Sequence, residues 1–275
     1  MSFLALDASP KRMSDWTAPV RDYASKTLVS VTPNTPIVDI QRLFEERDIS
    51  AVPVVDGHYV LRGIFTTTDL LRIARIEMES PRALARVWPP PHHVGHVMRT
   101  DVVTIDEDAT LREAATRLVD HRIHRLVVTR QCKPVGVLST RDAMRAILEA
   151  RVTSPLSQIM TAELVTISIG DSIDVAVGRL TDANVHGLVV VDGDWPVGVF
   201  TQREAIKARA LAAAFRKTAV EQIMSYETIC HDVETPLYRV VGQSIDMNVR
   251  RILAVKERRL VGIATGFDLV RYMTM

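Results

Sequence analysis

The 275 residues contain only two cysteines, Cys132 and Cys230, and no CxxC pair. That leaves no disulfide framework and no zinc ribbon, and it fits a reducing compartment. An excess of one charge is missing too. Lys and Arg number 34 against 33 Asp and Glu, for a formal net charge of +1. No global field would draw the chain to nucleic acid or to a membrane, although a local basic pocket remains open to it. No apolar run approaches the ~20 residues of a membrane span. The apolar patch within Met1–Pro10 has no basic region before it, so it does not read as a signal peptide. We therefore expect a cytoplasmic protein. There is also no Walker loop, no GxGxxG after a strand, no HExxH and no serine nucleophile elbow. No pair of groups is set for acid–base chemistry, and no separate catalytic domain has room, so we expect a protein that is not an enzyme.

What the chain does have is an internal repeat. Four segments open with a β-type run: Leu28–Val31, Val102–Ile105, Leu164–Ile167 and Thr228–Cys230. An amphipathic helix pattern follows each, then two apolar runs joined by a polar turn, then a second helix. Each unit closes on Gly-x-x-[Ser/Thr]-x-x-acid. The four copies are Gly63-Ile-Phe-Thr66-Thr-Thr-Asp69, Gly136-Val-Leu-Ser139-Thr-Arg-Asp142, Gly198-Val-Phe-Thr201-Gln-Arg-Glu204 and Gly262-Ile-Ala-Thr265-Gly-Phe-Asp268. One copy carries an extra residue near Gly57-His58-Tyr59, in a turn that tolerates it.

The spacing predicts one buried face on each first helix. Its residues are Ile37, Ile40 and Phe44; Leu111, Ala114 and Leu118; Ile173, Ala176 and Leu180; and Leu237, Val240 and Ser244. Thr35-Pro36 and Thr235-Pro236 read as a cap followed by a proline at the first helical position. Thr110-x-x-Glu113 reads as a capping box. Short lead-ins precede the units at Val94–Met98, Leu156–Met160 and Val220–Met224, with a weaker form at Val20–Ala24. The connector Trp88–His93 is proline-rich and stiff, and the Ala-rich Leu211–Phe215 should continue as helix. The repeats are expected at 15–80, 92–150, 154–212 and 218–275. A unit of about 60 residues has a marginal core, so its open sheet face should be buried against a second copy.

Order, spacing and closing signature together resemble the CBS domain, named from cystathionine β-synthase, over nearly the whole chain after residue 15. The fold class this implies is α/β (α+β): four βαββα CBS repeats paired into two Bateman modules and assembled as a disc. The segment His121-Arg122-Ile123-His124-Arg125-Leu126 resembles the one before the phosphate-binding strand in the γ subunit of AMP-activated protein kinase, whose repeat architecture is similar. The resemblance implies an adenosine ligand, AMP, ADP, ATP or S-adenosylmethionine, in clefts between paired repeats.

The residues carry chemistry that suits this. A carboxylate accepts both hydroxyl protons of a ribose diol, and a hydroxyl beside it can assist. That selects Asp142, Asp268 and Asp69, with Ser139, Thr265 and Thr66; Glu204 reaches further and fits such a contact less well. The same [Ser/Thr]-x-x-acid pattern is also a helix-capping box, which needs no ligand. Just before the second strand, the aligned pairs are Ser50-Ala51, His124-Arg125, His186-Gly187 and Arg250-Arg251. Guanidinium groups suit phosphate, so Arg125, Arg251, His124 and Arg250 are the phosphate candidates. Their bland alternative is a surface or interdomain ion pair. Ile123 and Val249 could flank adenine. Arg141 and Arg203 read as solvated helix-start charges, and the methionines and tryptophans as packing. His92, His93 and His96 cluster without a carboxylate or cysteine to complete a metal site.

The leading expectation is a non-catalytic regulatory sensor. It would bind adenine nucleotide with no metal required and signal to an effector protein. The alternatives are an S-adenosylmethionine binder or a ligand-free interaction scaffold. No nucleic-acid or membrane partner is expected, and one chain could complete its own disc or form a homodimer.

Overall fold

The computed structural model describes residues 16–47, 49–78, 86–185 and 187–275. The apolar patch at Met1–Pro10 and the aligned His186 lie outside them. Repeat one comprises α1 (Ile37–Arg47), β1 (Ala51–Val55), β2 (Leu61–Thr66) and α2 (Thr67–Ile73), followed by a hairpin of β3 (Arg75–Glu77) and β4 (Arg86–Trp88). Repeat two is β5 (Thr104–Asp106), α3 (Leu111–Asp120), β6 (Arg125–Arg130), β7 (Lys133–Ser139) and α4 (Thr140–Glu149). Repeat three is β8 (Thr166–Ser168), α5 (Ile173–Asp182), β9 (Gly187–Asp192), β10 (Trp195–Thr201) and α6 (Gln202–Arg209), with the short α7 (Ala213–Arg216) after it. Repeat four is β11 (Thr228–Asp232), α8 (Leu237–Asp246), β12 (Arg251–Lys256), β13 (Arg259–Thr265) and α9 (Gly266–Tyr272).

In repeats two to four the first strand pairs parallel to the second, and the second antiparallel to the third. In repeat one the first strand shrinks to a single bridge, Val31 to Val54. The reason lies in Pro53. In repeats two and three the aligned residue donates its backbone N–H to the first strand, Val127 to Val103 and Val189 to Val165. Pro53 has no N–H to give.

All twelve helix-face residues expected from the spacing are buried. Thr110 and Glu113 form the expected capping box. Two helix boundaries differ from expectation. Pro36 and Pro236 sit at the cap itself, because the Pro36 and Pro236 carbonyls already accept from Ile40 and Val240, each four residues on. The Ala-rich connector breaks: α6 ends at Arg209 and α7 restarts at Ala213, because Leu211 turns in to bury itself in the repeat-three core. Of the tryptophans, Trp16 is core, whereas Trp88 and Trp195 are exposed, so packing accounts for one of the three.

The lead-ins settle how the repeats pair, because each crosses to its neighbour. Pro19 bridges Thr110 of repeat two, and Ser25 N–H donates to the Val137 carbonyl. In return Arg99 pairs with Ile64 of repeat one in both directions, at 2.9 and 3.0 Å. Thr161 pairs with Ile263 of repeat four, and Ser225 with Val199 of repeat three, in the same two-way fashion. Repeats one and two therefore form one module, and three and four the other. In the second module Val189 and Val199 pack on Leu253, sheet against sheet.

The two modules join through helices. α4 packs on α8 and α9, and α3 on α9. One apolar core runs across repeats two and four, from Leu111, Leu118 and Ile147 to Leu237, Val240 and Leu269. Met78 of repeat one packs on the repeat-three core. The contacts thus run one to two, two to four, four to three, and back to one.

Candidate functional site

Each closing acid folds back on its own helix start. Thr66 N–H and hydroxyl donate to Asp69 Oδ2 at 3.1 and 2.6 Å. Ser139 does the same to Asp142 Oδ2 at 2.8 and 2.6 Å, and Thr265 to Asp268 Oδ2 at 2.8 Å each. Thr201 N–H donates to Glu204 Oε2 at 3.1 Å, with its hydroxyl on the same oxygen. Capping thus occupies one carboxylate oxygen in every repeat, and it accommodates the longer Glu204. The second oxygen separates them. On Asp69 it accepts from Arg99 Nε at 3.0 Å. On Asp268 it lies 3.3 Å from Arg271 Nη1. Asp142 closes no ion pair among the described residues.

The cations gather where the modules meet. His124 and Arg125 stand at the start of β6, and the charge of Arg250, just before β12 of repeat four, reaches both. Arg125 donates to Ser50 Oγ of repeat one. Burial, and then the charge of Arg250, pull the Arg125 pKa below the ordinary arginine range, and Asp142 pulls the other way. Arg251 is lowered by burial as well, opposed chiefly by Glu204. An arginine keeps its charge through such shifts. The His124 ring meets Phe267 of repeat four edge-on, with centroids 4.4 Å apart. Partial burial, then Arg125 and Arg250, push its pKa down to about 4. It is therefore neutral at pH 7, and the positive charge around it is that of Arg125 and Arg250.

Two clefts open onto closing acids. A groove of about 750 Å³ lies between α4 and the repeat-one lead-in, walled by Tyr23, Ser25, Lys26, Asp142, Arg145 and Glu149. The Tyr23 hydroxyl donates to Glu149 Oε2 at 2.7 Å. Burial and then that bond raise its pKa to about 12. The Arg145 guanidinium lies 5.4 Å from the Tyr23 ring centroid. A second cleft of about 490 Å³ is walled by Glu204, Lys207, Ser225, Tyr226, Met247 and Val249.

The structure thus brings Asp142, Ser139, Arg125, His124 and Arg250 to one region. Val249 and Arg251 lie towards Glu204 of the paired repeat, and Ile123 packs half-buried against the shared core. Arg141 is no free helix-start charge: it reaches Asn248 Oδ1 and the Ile245 carbonyl of repeat four. Arg203 Nη1 lies 3.7 Å from Glu227. The three clustered histidines join no metal-competent group among the described residues. The sequence alone does not identify the lead-ins as cleft walls, though the repeated glycine in each closing signature is the trace they leave.

The family model of the CBS domain matches residues 20–75, 94–149 and 156–211. The chain belongs to the CBS domain family. Its fourth CBS repeat has the same strand and helix order as the second and third. The crystal structure of MJ1225 from Methanocaldococcus jannaschii, put forward as an archaeal homologue of g-AMPK, superposes with a TM-score of 0.70 at 19% identity. The superposition covers 93% of this chain and 99% of that one. Among curated relatives, the uncharacterized protein MJ1404 of the same organism is 25% identical over 277 residues, 93% of this chain and 62% of its own length. The A-adding tRNA nucleotidyltransferase of Geobacter sulfurreducens is 22% identical over 235 residues, 86% of this chain but only 26% of the enzyme. The chain therefore spans less than two thirds of either curated relative. Among the described residues, no helix is long and apolar enough to cross a membrane.

Proposed function

We propose that this CBS protein is a non-catalytic regulatory sensor. It binds an adenine nucleotide, AMP, ADP or ATP, between paired repeats and passes occupancy to an effector protein. The observation that carries this reading is a half-buried Arg125 that feels the charges of Arg250 and Asp142, with Asp142 closing no ion pair among the described residues. Capping explains the acid, but it does not require an arginine next to it. Ser139 and Asp142 hold the ribose, with Asp268 and Thr265 as the equivalent pair in repeat four. Arg125, Arg250, Arg251 and His124 face the phosphates, and no metal is needed. Likeness to a structure put forward as a g-AMPK homologue agrees with this.

Because the ligand lies between repeats and its phosphates face the junction of the modules, it favours one arrangement of that junction. The shift equals its differential affinity for the two arrangements. A thermal-shift panel of AMP, ADP, ATP, S-adenosylmethionine and guanosine nucleotides tests the reading. At about a hundred times the dissociation constant, binding adds about 2.7 kcal/mol, or on the order of 5–10 °C for a chain of this size. An adenine-nucleotide shift diminished by Arg125→Ala and by Asp142→Ala supports it. A shift confined to S-adenosylmethionine and indifferent to Arg125→Ala makes this a sulfonium-nucleoside binder. No shift in nucleotide-free protein makes it a scaffold.

A further inference from the structure

We propose that Arg99 takes the place of a ligand on Asp69, so that the first module takes its ligand at Asp142 and not at Asp69. This rests on the adenine-nucleotide reading above and narrows it.

Asp69 has two carboxylate oxygens, and both are committed. Oδ2 accepts from the Thr66 N–H and hydroxyl. Oδ1 accepts from Arg99 Nε at 3.0 Å, and Arg72 Nη1 lies 3.8 Å away. Asp69 itself is only 4% exposed. A ribose diol would need the very oxygen that Arg99 holds.

Arg99 is delivered there by the fold. It belongs to the repeat-two lead-in, and its backbone pairs with Ile64 in both directions. Gly63 lets that strand close in: a Cβ on it would lie 2.7 Å from the Arg99 carbonyl oxygen. The guanidinium is therefore tethered beside the acid at a high effective concentration. A charge-assisted bond to a buried carboxylate is also stronger than one from a neutral hydroxyl. A ligand would have to displace it, which would leave Arg72, 3.8 Å away, as the cation beside Asp69.

In the other three repeats no lead-in side chain bonds the closing acid among the described residues; the Arg271 beside Asp268 comes from that acid's own helix and is half-exposed. The aligned lead-in residues are Ser25, Thr161 and Ser225. Ser25 Oγ accepts from the Val137 N–H at 3.1 Å, and Ser225 Oγ from the Glu227 N–H at 3.2 Å. Both serines turn to backbone and leave the acid alone. Arg99 is thus a specificity-determining residue that subtracts one site from the chain.

Isothermal titration of nucleotide-free, full-length protein with AMP, and in parallel with ADP and ATP, reads this as stoichiometry. Arg99→Ser, which installs the residue found at the aligned position in repeats one and four, should bind one more nucleotide per chain than wild type. Adding Asp69→Asn to it should remove the gained site. Should Arg99→Ser fail to fold, Arg99→Thr, the residue aligned in the repeat-three lead-in, is scored the same way. An unchanged count in folded Arg99→Ser overturns the proposal. A lower count or weaker binding also overturns it, since Arg99 would then be a ligand-holding group. Failure of the parent reading looks different: wild type itself takes up no nucleotide, or its binding is indifferent to Asp142→Ala.

Discussion

The carbonyl oxygen of Ser25 lies 2.6 Å from the point where a Cβ on Gly136 would stand. The same relationship recurs in each repeat. Gly63 faces the Arg99 carbonyl at 2.7 Å, Gly198 the Ser225 carbonyl at 2.7 Å, and Gly262 the Met160 sulfur at 2.6 Å. The glycine of the closing signature is there so that the partner's lead-in can lie against the third strand. It is a pairing residue, and it needs no special backbone angle.

Gly136→Ala should therefore destabilise the protein by about 1–3 kcal/mol, the usual cost of forcing an extra carbon into a filled space. Gly262→Ala should cost less, because its nearest neighbour is the mobile thioether of Met160 and not a backbone carbonyl. Urea midpoints of the two variants at equal m-value check the order.

His124 gives a pH signature. Its folded pKa, pushed down to about 4, lies below the ordinary value of 6.5. The unfolded chain therefore binds the proton more readily between those two values. The stability linked to this group is fully present above about pH 6.5 and is lost as pH falls towards 4. His124→Gln should flatten the loss over that window relative to wild type. If the two denaturation profiles run parallel between pH 7 and 4.5, His124 is not the group involved. Bound nucleotide should also raise the His124 pKa, since a phosphate offsets Arg125 and Arg250; NMR titration of the ring with and without AMP reads it.

The helical core shared by repeats two and four predicts that the modules depend on one another. Ile147, on α4, is fully buried within it. Ile147→Ala should cost about 2–5 kcal/mol. It should lower a calorimetric transition common to both modules, not one confined to repeat two.

Much of this fold is legible in the sequence, because each repeat states its pattern independently. The faces of α1, α3, α5 and α8 follow from residues such as Leu111, Ala114 and Leu118 at helical spacing, all of them buried. The Asp-Gly turns mark two hairpins. The other two are harder to read, since Gln131, Cys132, Glu257 and Arg258 take positive φ angles of 49 to 65° without glycine. The proline caps and the break at Leu211 are decided by tertiary packing, which overrides local propensity. The candidate site is legible only in part. Arg125 and Asp142 stand out because they share a repeat. Arg250 beside Arg125 does not, because the packing of repeat two on repeat four has no local signature. Nor does Arg99 on Asp69, an ion pair thirty residues apart that exists only because the lead-ins cross.

In the proposed site Asp142 holds the ribose and Arg125 the phosphate of one adenine nucleotide. Equilibrium dialysis of nucleotide-free protein against labelled AMP tests it most directly, with wild type, Asp142→Ala, Arg125→Ala and the double variant run together. Binding to wild type should be saturable. Each single change should weaken it about 10- to 100-fold, as loss of a bond to a charged group does. Adenosine in place of AMP should feel Asp142→Ala but not Arg125→Ala. Wild-type binding that survives both changes, or adenosine binding equally sensitive to Arg125→Ala, would mean that these two residues do not hold ribose and phosphate.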